Sequence, residues 1–100
     1  MRLTWHEAKR QATLAERGLD FTDCAEVFSG PTHNVQDDRK SYPEPRIISV
    51  GFLRGRMVVV VYTPSGKDNR RIISMRYAND REQRYYKVLR RLAPETRLPN

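Results

Sequence analysis

The apolar positions of the chain change period twice: helical spacing near the start, strand alternation in the middle, and helical spacing again towards the end. Arg2 to Trp5 reads as a short edge strand. Trp5, Ala8, Ala12, Ala15 and Leu19 then recur at helical intervals and Thr4-x-x-Glu7 has capping-box spacing, so a first helix is predicted over about His6 to Arg17. Gly18 stands where a left-handed C-terminal cap is wanted. Asp20 is placed to cap a second helix, whose Phe21, Cys24, Ala25 and Phe28 share a face before Ser29-Gly30-Pro31 stops it.

From Thr32 to Pro45 the chain is polar, and it reads as a strand fragment followed by a mobile loop. Three β-branched runs follow, Arg46 to Leu53, Arg56 to Thr63 and Arg70 to Arg76, separated by Arg54-Gly55 and by residues 64–69, which predicts an antiparallel meander. The middle run, Met57 to Tyr62, is apolar on both faces and belongs at the centre of the sheet. Asn79-x-x-Glu82 offers another cap. Beyond it, Tyr85, Val88, Leu89 and Leu92 mark the inner face of a last helix that Pro94 ends, while Arg81, Arg84, Lys87, Arg90 and Arg91 mark the outer one. The expected fold is α+β: a short N-terminal strand, two helices, a three- to four-stranded antiparallel sheet and a C-terminal helix, with the helices on one side. Residues 1–93 are expected to form one domain and residues 94–100 a flexible tail.

Charge narrows the partners. The 100 residues carry 19 Lys and Arg against 12 Asp and Glu, a net charge of +7, which points to nucleic acid, an anionic membrane or an acidic protein. Met57 to Tyr62 is too short to span a bilayer, and the first residues have no signal-peptide core, so a cytoplasmic protein without a membrane role is expected. The lone Cys24 permits neither an internal disulfide nor a thiolate zinc site, and reads as a small buried residue. Five arginines fall between residues 70 and 84 (Arg70, Arg71, Arg76, Arg81 and Arg84), a density that suits forked recognition of phosphate.

A family likeness rests on particular residues. Trp5 with Lys9, Arg17-Gly18-Leu19-Asp20-Phe21, Val27-Phe28, Glu44-x-Arg46, Val50-Gly51, Val59 to Thr63, and Arg71-Ile72-Ile73-Ser74-Met75-Arg76 with Ala78 and Glu82 closely resemble the BrnT toxins of bacterial type II toxin–antitoxin modules. His6, Thr13, Arg17 and Tyr77 depart from that pattern, standing where the family more often has Asp, Asn, His and Lys. The resemblance implies a RelE-like ribonuclease fold, arrest of translation by cleavage of RNA that is free or ribosome-bound, and neutralisation by a BrnA-type ribbon-helix-helix antitoxin, through which alone operator DNA is contacted.

Metal-independent RNA cleavage needs a base for the 2′-hydroxyl, cations around the phosphorane and an acid for the leaving oxygen. No cofactor or metal is expected. Arg46, Arg71 and Arg76 are the candidates for holding the phosphate, with Glu44 and Tyr77 as weaker candidates for proton transfer. Arg70, Arg81, Arg84 and Lys87 are candidates for RNA binding. Arg71 and Arg76 have opposite parity on a regular strand, so sharing one site requires the strand to end or bulge near Arg76. Glu44 and Arg46 point the same way if the strand extends back to them; Glu44 reads equally well as a solvated loop carboxylate. Tyr85 fits a core role, Ser74 reads as a strand residue, and His6 and His33 lack partners at useful spacing. The alternative to an enzyme is a non-catalytic basic nucleic-acid-binding or corepressor module acting with its antitoxin.

Overall fold

A strand apolar on both faces must be covered on both, and the chain folds accordingly. The computed structural model describes residues 1–92, with side chains through Val88. In chain order it forms β1 (Arg2–Trp5), α1 (Glu7–Arg17), a 3-10 turn (Phe21–Asp23), α2 (Cys24–Ser29), β2 (His33–Gln36), β3 (Ile47–Leu53), β4 (Arg56–Ser65), β5 (Asn69–Tyr77) and α3 (Asp80–Leu92). The described strands make one five-stranded sheet in the order β1-β5-β4-β3-β2, with β4 central as expected. The sheet has more strands than predicted and is mixed, because β1 runs parallel to β5. The last apolar positions of α3 and the tail 94–100 lie outside the residues whose side chains are described.

On one face Leu19, Phe21, Cys24, Val27 and Phe28 pack onto Leu53, Val58, Val60, Tyr62, Ile72 and Met75. On the other, Val50, Met57, Val59 and Ala78 form a smaller core, joined by Ile48, Phe52 and Tyr86. The 3-10 turn and α2 therefore cover one face and α3 part of the other, which corrects the expectation of helices on one side. Gly51 permits the close approach of the α2 layer: a Cβ there would come within 2.8 Å of Val27 Cγ1 and 3.0 Å of Thr32 Cγ2. Cys24 is buried as expected, its Sγ 3.8 Å from Met75 Sδ, and burial pushes its thiol up to about 12.

Local signals fare unevenly. Gly18 caps α1 in the left-handed conformation, its N–H donating to Leu14 O, and Asp20 accepts from Thr22 N at the start of the 3-10 turn. The Thr4–Glu7 capping box does not form, since Thr4 is still in β1 and accepts instead from Asn69 Nδ2, while Glu7 accepts from Trp5 Nε1. Nor is any residue of α1 buried. The helix is held at its flanks: Arg10 forks onto Asp20 at 2.9 and 3.1 Å, and Arg17 Nη1 donates to Met75 O.

Candidate functional site

Strand register decides which arginines meet. Tyr62 pairs with Ile72 but Val61 with Ser74, so Ile73 is an extra residue and β5 is bulged there. The bulge repairs the parity problem. Arg71 lies opposite Thr63 and Arg76 opposite Val59, and these β4 partners are four residues apart on one face. Arg46 precedes Ile47, the partner of Tyr62, so the same register carried back one residue sets Arg46 opposite Thr63 too. Asp37 N donates to Arg46 O at 2.8 Å and extends the β2–β3 pairing to that point. Arg46, Arg71 and Arg76 thus stand on one sheet face, beside the part that α3 covers.

Their electrostatic states differ. Arg76 makes a bidentate pair with Glu82, both contacts 2.8 Å, and a third bond to Tyr77 O. Glu82 also closes the predicted capping box, accepting from Asn79 N while its own N–H donates to Asn79 Oδ1. The Arg76 fork, reinforced by the Asn79 N–H, holds the Glu82 carboxyl down to about 2. Arg76 is raised by the same pair, and the positive charge of Arg39 opposes that rise. Arg71 is exposed and pairs with no described side chain. Arg46 lies with its Cζ 4.2 Å from the centre of the Tyr42 ring.

The loop before β3 is built around one carboxylate. The Asp37 side chain is wholly buried, Arg39 grips it at 2.8 and 2.7 Å, and Tyr42 Oη donates to it at 3.4 Å. The Arg39 guanidinium, 69% exposed, holds the Asp37 carboxyl down to about 2. Asp37 therefore fixes both Arg39 and, through the Tyr42 ring, Arg46. Among the described residues no three His, Cys, Asp or Glu side chains group so as to hold a metal ion, and no helix is long and apolar enough to cross a membrane.

A family profile described as "Ribonuclease toxin, BrnT, of type II toxin-antitoxin system" matches residues 5–82. The chain belongs to the BrnT toxin family. It is also similar to the crystal structure of the Brucella abortus ribonuclease toxin BrnT, at 30% identity and a TM-score of 0.65, over 80% of this chain and 99% of that one. No curated protein gives a significant match.

In this BrnT chain the other anticipated residues do not all join the arginine face. Arg70 points to the opposite side, its Cζ 4.5 Å from the Phe28 ring centre and 4.9 Å from that of Tyr62. Tyr77 pairs with Val58 on that same opposite face, and Arg56 stacks on its ring at 3.8 Å. Glu44 is exposed in a bend between two prolines, so the strand parity that would align it with Arg46 does not reach it. Arg81, Arg84 and Lys87 are exposed along α3.

Tyr85 and Val88 are exposed as well, at 58% and 47%, and the residue that packs inward is Tyr86. Glu82 must face Arg76, and the position one turn on from Glu82 is 86. Three residues on or beside the face were not anticipated as site residues. Asp37 and Arg39 lie in a segment without hydrophobic period, where only their i, i+2 spacing marks them. His33 shares a cross-strand row with Val50, Val59 and Arg76, and its ring lies 5.2 Å from that of Tyr86.

Proposed function

We propose that the chain is the toxin of a type II toxin–antitoxin module, a metal-independent endoribonuclease of RelE-like fold that cleaves RNA on the arginine-bearing sheet face. The single observation that carries this reading is the meeting of Arg46, Arg71 and Arg76, from two separate strands and their flanks, on one face with Arg39 beside them. Guanidinium forks match phosphate oxygens and keep their charge at any physiological pH, so they stabilise the dianionic phosphorane without a metal. Arg71, unpaired, engages the phosphodiester first, and Arg76, oriented by Glu82, meets the charge that develops on attack.

The 2′-oxygen gives its proton to a base as it attacks phosphorus, and the 5′-oxygen leaves with a proton from an acid, producing a cyclic phosphate end. Glu44 and His33 are the groups we assign to these transfers, since a carboxylate and an imidazole suit them, His33 shares the Arg76 row and Glu44 stands two residues before Arg46. Tyr77 pairs off the arginine face but stands at the end of β5, where Arg56 stacks on its ring, and is left to base stacking. Arg81, Arg84 and Lys87 extend a cationic track along α3 for the rest of the RNA backbone.

Such cleavage in the cytoplasm would arrest translation, and a BrnA-type ribbon-helix-helix antitoxin would cover the face to neutralise it, with operator DNA contacted only through that complex. The test is purified chain, free of antitoxin, incubated with single-stranded RNA and with translating ribosomes. Arg71→Ala and Arg76→Ala should each lower the cleavage rate about a hundredfold, with the melting temperature little changed in Arg71→Ala and lowered by roughly 5 °C in Arg76→Ala, which loses the Glu82 pair. Fragments produced equally well by both variants would remove the site from this face, and a mobility shift without fragments would favour the non-catalytic binding module instead.

A further inference from the structure

The row that carries Arg76 runs across the sheet to Val50, and beside Val50 a cleft of about 400 Å³ opens between the β3–β4 hairpin and α3. Its floor is apolar, made of Val50, Phe52 and Met57, and Tyr86 closes one side. At the rim the Arg56 Cζ sits 3.8 Å from the centre of the Tyr77 ring, and Gln83 and Lys87 bring polar ends from α3. Gln83 Nε2 is already committed to Ala78 O at 3.1 Å, which fixes the amide at the mouth.

The chemistry of this lining is that of a flat, partly polar ligand. Unpaired bases are recognised by stacking on aromatic rings and guanidinium planes, with hydrogen bonds at their edges, and the cleft offers both kinds of surface. Its volume is in the range of small-molecule sites. Position matters more. Val50 lies in the Arg76 row, two inter-strand spacings or about 10 Å from Arg76, and Phe52 is two residues further along β3, so the cleft begins in that row and runs away from it along the strand. A base seated there belongs to a nucleotide next to the phosphate that Arg76 meets.

We infer that this cleft is a nucleobase subsite, taking one unstacked base of single-stranded RNA beside the scissile phosphate and so setting where the chain cuts. The inference rests on the reading of the arginine face as the place of cleavage. Gln83 and Lys87 discriminate among bases by their edges, and Phe52 and Tyr86 hold any base by its face.

The probe is a short single-stranded RNA carrying one 2-aminopurine and a 2′-O-methyl block at the cut, titrated with the full-length chain. Emission should fall several-fold on binding, and Gln83→Trp, which fills the cleft from the helix side, should abolish the fall and flatten base preference at the cut at least fivefold. Phe52→Ala should do the same in part, with melting temperatures recorded for both variants. Quenching and base preference unchanged in Gln83→Trp, while Arg71→Ala still stops cleavage, would overturn the subsite and leave the arginine face standing. Cleavage intact in Arg71→Ala and Arg76→Ala would remove the reading of that face and the inference with it. Equal quenching of free 2-aminopurine nucleotide would assign the cleft to a soluble nucleotide rather than RNA, and loss of antitoxin binding alone in Gln83→Trp would assign it to the protein partner. Either result overturns the proposal.

Discussion

A guanidinium gripped at both ends of its fork by a carboxylate loses little freedom when it meets a phosphate, and Arg76 is in that state because Glu82 serves two masters. Glu82 caps α3 through Asn79 and forks onto Arg76, so the start of the helix and the cation of the site share one anchor. Its carboxyl is held at about 2 against an ordinary 4.5, so its contribution to stability is complete above about pH 4.5 and drains away as pH falls towards 2. Glu82→Gln should therefore cost about 1 kcal/mol at pH 7, allowing for solvent screening of a partly exposed pair, and should flatten the acid limb of a urea-midpoint against pH curve. Catalysis should respond differently from binding: kcat falls about tenfold as Arg76 loses its orientation, while KM for RNA does not rise because a negative charge has gone. An unchanged kcat would mean that Arg76 needs no such support.

At the scale of elements, two non-repetitive features stand out: the Ile73 bulge, on which the site depends, and the close seat of α2 on the opposite face, on which the core depends. The second is open to a simple check. A methyl group at Gly51 has no room between Val27 and Thr32, so Gly51→Ala should cost about 2 kcal/mol and lower the melting temperature by roughly 10 °C. A variant as stable as the parent would show that α2 moves aside easily. The contrast between these features marks what was legible from residues alone. Strand β4, the hairpin turn at Arg54-Gly55 and the Asn79–Glu82 cap are written locally, in runs and spacings. The parallel seat of β1 on β5 is settled by strands more than sixty residues apart and leaves no local trace. The parity of Arg71 and Arg76 required the strand to end or bulge near Arg76 if the two share a site; the bulge lies three residues earlier, at Ile73, because its place depends on the pairing with β4, which residue spacing does not encode. Asp37, Arg39 and Tyr42 escaped notice because a loop organised around a buried carboxylate has no hydrophobic period to read.

For the whole molecule the question is whether RNA is held by an excess of positive charge or by one face. With +7 spread over 100 residues, a diffuse field would bind polyanions anywhere, and any arginine would serve as well as another. Arg70 and Arg71 separate the two cases, since they are neighbours in sequence, carry the same charge and point to opposite sides of the sheet. Each phosphate neutralised on a single strand contributes roughly 0.7 to the slope of log affinity against log salt. If the face binds, Arg71→Ala should reduce that slope by about 0.7 and weaken binding about tenfold at low salt, whereas Arg70→Ala should leave the slope unchanged. Arg70 stacks on Phe28 and Tyr62, so its removal is followed by thermal melting to keep a packing loss apart from a binding loss. Equal slopes and equal affinities for the two variants would mean that net charge does the holding. In that event the convergence of guanidiniums would be a feature of the fold and not of the reaction.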